Sequence, residues 1–249
     1  MPITLPDLTQ RLAAREHPGR SPVMYQSWTH LLFLHWQWDP AEIQKTLPPG
    51  LTVDTHDGAA WLGIVPFFMR NIRPRFLPTA PWISNFLELN VRTYVHDEHG
   101  RPGVWFYSLD CNQPLAVWTA RTFFHLPYQH ARMSAPITLP SSVAYSKHRR
   151  GAPEASDFHY HLETEGREPT FAEPGTLEFF LLERYYLFAS TPRGIRSGQV
   201  HHKPYPMVPV RVDKWDTRVL ALNGFKEPDR APDHIAGSPG VDVLIFPLK

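Results

Sequence analysis

Cysteine is almost missing: Cys111 stands alone among 249 residues, so no intramolecular disulfide can form and no cysteine-based zinc motif exists. Such usage fits a reducing compartment, and a cytoplasmic location is expected. Charge of one sign is missing as well. Against 24 Asp+Glu stand 25 Lys+Arg, a formal net charge of +1 with the 14 His neutral, which leaves no field to hold nucleic acid. The densest apolar run, Leu31 to Leu34, is far short of the ~20 residues of a membrane helix, and no membrane partner is expected. The first residues, Met1-Pro2-Ile3-Thr4-Leu5-Pro6-Asp7, show neither the basic leader nor the apolar core of a secretory signal. GxGxxG, P-loop, GxSxG, HExxH and CxxC patterns are all absent, so no nucleotide, serine-hydrolase elbow, metal or other cofactor is implied.

What is present is aromatic and apolar. With 42% hydrophobic residues, 8 Trp, 9 Tyr and 15 Phe, the chain holds too much apolar side chain to stay disordered. The 27 prolines are about 11% of it against a usual ~5%, and a residue without a backbone N–H interrupts helices and central strands alike, which excludes a long helical bundle. Pro and Gly cluster at Arg73 to Pro81, Ala135 to Pro140, Gly166 to Gly175, Pro204 to Pro209 and Pro228 to Gly240, none of them long enough to act as a flexible linker. No repeat or charge asymmetry divides the sequence. The expectation is a short N-terminal extension over 1–22, with Leu5, Leu8 and Leu12 at helical spacing and Pro6 in the first turn, followed by one domain over 23–249.

Helix starts are marked at Asp39-Pro40-Ala41-Glu42, where Asp39 caps and Glu42 completes a capping box, at Asn112-Gln113-Pro114 before Leu115 to His125, and at Pro174-Gly175-Thr176 before Leu177 to about Arg184. Strand patterns run over Tyr25 to Trp36, Ala60 to Met69, Phe86 to Val95, Val104 to Asp110, Val143 to Arg149, Phe158 to Thr164, Tyr186 to Ser190, Val208 to Val212 and Val241 to Phe246. Hairpin residues at His56-Asp57-Gly58 and His96-Asp97-Glu98-His99-Gly100 separate several of them. Many strands with a few short helices predict an α+β, β-dominated domain in which an antiparallel sheet curls or closes and helices cover its openings.

Within Phe86 to Val95, alternation puts Leu87, Leu89, Val91, Thr93 and Val95 on one face and Glu88, Asn90, Arg92 and Tyr94 on the other. The polar face either meets solvent, with Glu88 and Arg92 as neighbours, or lines an interior, where a desolvated Glu and Arg need each other or a ligand. The segment Ala120-Arg121 through Leu126-Pro127-Tyr128-Gln129-His130 reads as a helix end entering an Arg, His and Tyr cluster. There Tyr128 could donate a proton and His125 or His130 could shuttle one, or the same residues could satisfy helix carbonyls and fill space. Glu183-Arg184-Tyr185-Tyr186 reads as an ion pair with aromatic packing or as part of a pocket. Ser238-Pro239-Gly240-Val241-Asp242-Val243 reads as a sharp turn into the last strand, with Asp242 binding backbone amides. His159 and His161 share one side of a strand and His201-His202 are adjacent, a spacing that permits a metal without specifying one.

These blocks, together with Leu51-Thr52-Val53-Asp54-Thr55, Asp57 to Gly63, Gly103 to Asp110 and Val200-His201-His202, resemble in order the YqjF-like family of bacterial proteins of unknown function, within the acetoacetate decarboxylase-like superfamily. The resemblance implies a closed, cone-like antiparallel β-barrel with flanking helices, an internal pocket and a related homodimer. It also implies that Tyr128 and Gln129 stand where the decarboxylases carry adjacent lysines, so the Schiff-base route, which needs a perturbed amine, is not expected. Lys147 and Lys203 remain as substitutes that nothing places in the pocket. Two functions stay open. In the first, the protein is a lyase-like acid/base enzyme acting on a small carbonyl or carboxylate compound, with Tyr128, Glu88 and Arg121 catalytic and Arg92, Asn90, His125 and Glu183 binding the substrate. In the second, it is a non-catalytic binder of an anionic or carbonyl-containing small molecule.

Overall fold

The computed structural model describes residues 5–138 and 141–249. Residues 1–4, where the N-terminal stretch was read for a leader, and 139–140, the end of the predicted Ala135 to Pro140 punctuation, lie outside the described residues.

Helix α1 (Leu8–Ala13) starts at Asp7, whose carboxylate accepts the Gln10 N–H at 2.8 Å while the Gln10 side-chain oxygen accepts the Asp7 N–H at 2.9 Å. This reciprocal cap satisfies donors that the first turn leaves unpaired. Pro6 therefore precedes the cap instead of entering the helix, and Leu5, Leu8 and Leu12 stay exposed. The segment is anchored by charge, through Arg11 on Asp54 at 2.7 Å. Strand β1 (Met24–Trp38) leads into α2 (Pro40–Thr46), which Asp39 caps at the Ala41 N–H. No capping box forms there; Glu42 accepts the Trp38 indole N–H at 3.1 Å.

β2 (Leu51–Val53), β3 (Ala60–Pro74), β4 (Phe86–Asp97) and β5 (Pro102–Cys111) follow. α3 (Pro114–Phe123) stops short of the predicted His125, which takes a positive φ of 50°. Then come β6 (Tyr128–Ser134), β7 (Ile137–Thr138), β8 (Ser142–Arg149), β9 (Ser156–Leu162) and α4 (Leu177–Leu182), which ends at Glu183 as its C-cap. β10 (Tyr186–Thr191), β11 (Gly194–His201), β12 (Val210–Lys214), α5 (Arg218–Ala221) and β13 (His234–Ile245) complete the chain. No helix among the described residues is long and apolar enough to cross a membrane.

The strands form one β-dominated sheet whose path β5-β10-β11-β13-β1-β3-β4 returns to β5, giving a ring-like closure. Two pairings depart from the expected all-antiparallel arrangement: β5 runs parallel to β10 through Gly103 to Trp105 and parallel to β6 through Leu109 to Cys111. The outer edge of β5 is thus split. Its first half closes the ring, and its second half carries away the branch β6-β8-β9-β12. Closure needs Gly103, since a Cβ there would stand 2.6 Å from the Tyr186 carbonyl oxygen.

The branch folds over the ring's outside. Leu87, Leu89 and Val91 of β4 pack with Tyr145, Phe158 and Tyr160 of β8 and β9. Both faces of β4 are consequently buried, and its polar stripe points into the ring. The predicted sharp turn over Ser238 to Val243 does not occur: the segment is continuous strand in β13, opposite β1. Gly240 serves close approach there, because a Cβ would lie 2.3 Å from the Trp28 carbonyl oxygen. Asp242 accepts the Ser27 hydroxyl at 2.6 Å instead of backbone amides.

Candidate active site

A cavity of about 290 Å³ occupies the ring interior, walled by every strand of the ring and covered by α3. Its lining is mostly aromatic and aliphatic, and along β4 four residues enter it in order: Phe86, Glu88, Asn90 and Arg92. Ile83 and Leu115, both exposed, line the cavity as well, and Arg92 is the β4 lining residue farthest along the strand from Phe86.

Glu88 is 3% exposed, and its Oε2 accepts the Tyr128 hydroxyl at 2.7 Å. The two meet because β6 runs parallel beside β5, which itself pairs with β4, so that Tyr128 lies opposite Leu109 and Glu88 opposite Cys111. Burial raises the Glu88 carboxyl to about 7, the nearby Asp110 charge pushes the same way, and the Tyr128 hydrogen bond opposes them. Burial and the Glu88 charge drive the Tyr128 phenol well above its ordinary value, so it stays a donor. From the other side of the sheet, the Tyr145 hydroxyl donates to the Glu88 backbone carbonyl at 2.8 Å and pins the strand.

Arg121 lies outside the cavity, exposed on the last turn of α3. Its Nε donates to the Tyr128 backbone carbonyl at 2.6 Å and its Nη2 to the Gln129 side chain at 3.1 Å. It can position Tyr128 but cannot touch what the cavity holds. Asn90 and Arg92 do line the cavity, and the buried side-chain oxygen of Asn90 has no hydrogen-bond partner. The Arg92 guanidinium lies 5.4 Å from the Phe33 ring and 5.5 Å from the Tyr94 ring. It donates to Tyr94 Oη at 3.3 Å and to the Leu181 carbonyl at 3.2 Å, and no carboxylate pairs with it among the described residues. His125 is exposed and absent from the lining, since the chain reverses at its positive φ and carries its side chain off the cavity. Glu183 is buried away from the cavity, accepting the Tyr185 hydroxyl and, at 3.1 Å, the Tyr205 N–H. It makes no ion pair with Arg184, which turns to Asp54 at 2.6 Å.

Lys147, the buried substitute amine, belongs to the wall. Its Nζ lies 3.0 Å from Asp110, which Arg149 also holds at 2.7 Å. Burial lowers the Lys147 ammonium and Asp110 partly restores it. Lys203 is exposed, and no lysine lines the cavity among the described residues. His159 and His161 share one side of β9 and His202 stacks on Tyr185 at 4.7 Å. No group of three or more His, Cys, Asp or Glu is arranged around a metal position among the described residues.

His35 and Tyr205 were not singled out by the sequence reading. His35 Nε2 contacts Tyr94 Oη at 2.7 Å and its Nδ1 contacts His234 Nδ1 at 3.0 Å, a buried chain ending at Arg92. Gly63 makes room for it, since a Cβ there would meet the His35 ring at 3.0 Å. The signal was present: Leu31, Phe33 and His35 share one face of β1 by period two.

Comparison with known proteins follows the same lines. The family model DUF2071, described as an uncharacterized conserved protein, matches residues 25–242. The uncharacterized protein YqjF of Bacillus subtilis (strain 168) is 36% identical over 228 residues, covering 91% of this chain and 92% of that one. Among solved structures, the enduracididine biosynthesis enzyme MppR complexed with pyruvate superposes with a TM-score of 0.62 at 12% identity, over 94% of this chain and 92% of that one. Acetoacetate decarboxylase from Legionella pneumophila gives 0.60 at 12% identity over the same shares, 94% and 92%. At such identities the structural likeness speaks for the fold. The chain belongs to the DUF2071 family, to which its resemblance to YqjF pointed, and it carries the fold of acetoacetate decarboxylase-like enzymes.

Proposed function

We propose that this chain is a cytoplasmic, lyase-like acid/base enzyme acting on a small carbonyl or carboxylate compound without a Schiff base. One observation carries the reading: inside a largely apolar cavity, a carboxyl raised to about 7 shares a 2.7 Å hydrogen bond with a phenol. A base is most effective when its pKa lies near the working pH. Glu88 as carboxylate takes a proton from the carbon beside a carbonyl, the C–H electron pair moves into the carbon–carbon bond of the enolate, and the Tyr128 hydroxyl, released from Glu88 as that carboxylate is protonated, turns its hydrogen bond to the oxygen that gains charge. Returning the proton completes enolisation; loss of a leaving group from the same enolate gives elimination. Arg92 holds the anionic part of the substrate. The MppR neighbour, whose structure holds pyruvate, supports oxo acids as the first compounds to try, and a lining without lysine among the described residues supports a route that does not use an amine.

The test is exchange of carbon-bound protons for deuterium, followed by NMR, across a panel of oxo acids. Exchange above buffer should fall ~100- to 10,000-fold in Glu88→Gln and in Tyr128→Phe. Exchange that survives both substitutions overturns the proposal, and ligand binding with no exchange of any compound favours the non-catalytic binder.

A further inference from the structure

Three features of the cavity bear on what fits it. The first is distance. Glu88 and Arg92 stand four residues apart on one face of β4, about 13 Å between α-carbons at ~3.3 Å per residue, and their heads engage different partners, Glu88 the Tyr128 hydroxyl and Arg92 the Tyr94 hydroxyl and Leu181 carbonyl, while the acidity of Glu88 is set by burial, Tyr128 and Asp110. A three-carbon oxo acid, whose carboxylate adjoins its carbonyl, is too short to sit on Arg92 and present its reacting carbon to Glu88 together. The second is unpaired charge. Arg92 is 8% exposed and no carboxylate pairs with it among the described residues, and a buried cation calls for an anion. The third is the wall between and beyond these groups. Phe33, Phe67, Phe86, Phe106 and Leu109 line a space of about 290 Å³, whereas an apolar cavity of about 150 Å³ already accommodates benzene.

We propose that the cavity takes an elongated carboxylate with an apolar body, of the medium-chain or arylalkanoic class, its carboxylate on Arg92, its reacting carbonyl several bonds away at Glu88 and Tyr128, and its tail directed past Phe86. The proposal rests on the reading of this cavity as the ligand site and narrows the substrate class. Short hydrophilic oxo acids then fill a fraction of the space and leave either Arg92 or Glu88 unserved.

Calorimetric titration with pyruvate, butanoate, hexanoate, octanoate, 3-phenylpropanoate and 1-octanol tests it. Affinity should climb about fourfold per added methylene from butanoate to octanoate, octanol should bind at least tenfold more weakly than octanoate, and Arg92→Met should erase that preference. Pyruvate binding as tightly as octanoate, or octanol matching octanoate on the unaltered protein, overturns the proposal; the second comparison holds even if Arg92→Met fails to fold. Octanoate has no reactive carbonyl, so its binding is independent of proton transfer. Octanoate binding without exchange of any oxo acid removes the reaction and leaves this inference standing, while oxo-acid exchange without chain-length dependence does the reverse.

Discussion

Two clusters of buried charge lie on opposite sides of the same sheet and are built differently. On the outside, Asp110 takes both Lys147 at 3.0 Å and Arg149 at 2.7 Å, and Arg149 also donates to the Ser108 hydroxyl at 2.7 Å. Every member has a partner of opposite sign or a hydrogen bond. On the inside, Glu88 has a phenol instead of a cation, Arg92 has two carbonyl- and hydroxyl-type acceptors instead of a carboxylate, and the Asn90 oxygen has nothing. The saturated cluster holds the branch β6-β8-β9 to the ring. The unsaturated one lines the cavity, where the proposed substrate would complete it. The contrast also sets apart Lys147, a buried residue of the type the decarboxylase resemblance directs attention to: it is paired with Asp110 and does not line the cavity.

The largest expected effect breaks the outer cluster. Asp110→Ala leaves the buried Lys147 and the half-buried Arg149 without their counter-charge and should cost about 3–5 kcal/mol in denaturant unfolding, whereas Arg92→Met, which removes a cation that has no counter-charge, should cost far less. Equal losses in the two variants would remove the distinction between the clusters.

Next comes pH. The folded-state pKa of Glu88 is raised from 4.5 to about 7, so the folded state holds this proton more tightly than the unfolded chain. Its contribution is complete below about 4.5 and is lost as pH rises through about 7, a decline on the order of 3 kcal/mol. Glu88→Gln should flatten that window, matching the parent at pH 4 and exceeding it at pH 8 in urea titrations.

The smallest effect concerns Arg121, which reaches the site through the Tyr128 backbone. Arg121→Ala should lower kcat by ~10- to 100-fold with KM little changed, and Arg121→Lys should recover part of the loss by restoring a donor to the Tyr128 carbonyl. A change in KM alone would place Arg121 on the substrate instead.

Much of this was readable from residues, and the limits have physical causes. Alternation sorted β4 into its two faces correctly, but which face meets solvent is decided by ring closure and by the branch folding over the outside, neither of which a local pattern contains. Glu88 and Tyr128 could each be picked out, whereas their contact depends on the parallel pairing of β6 with β5. The β6 segment reads as a helix end entering an Arg, His and Tyr cluster because Tyr128-Gln129-His130-Ala131-Arg132 is polar and follows Pro127. β11 is diluted by Gly194, Arg196, Ser197 and Gly198, and the short turn of α5 leaves no periodicity to find. Pro239-Gly240 looks like a turn by composition, yet the glycine is there for close backbone approach. His35 shares one face of β1 with Leu31 and Phe33, but the partners that make it part of a polar chain, Tyr94 and His234, come from distant segments that a local pattern does not contain.

The most direct measurement is an infrared pH titration of the protonated-carboxyl band, taken as the difference between the unaltered protein and Glu88→Gln, with and without octanoate. A band that disappears with a midpoint near 7, and whose midpoint moves when the cavity is filled, is the result expected of a carboxyl kept in a dry cavity beside Tyr128. A midpoint near the ordinary 4.5, unmoved by octanoate, would contradict it.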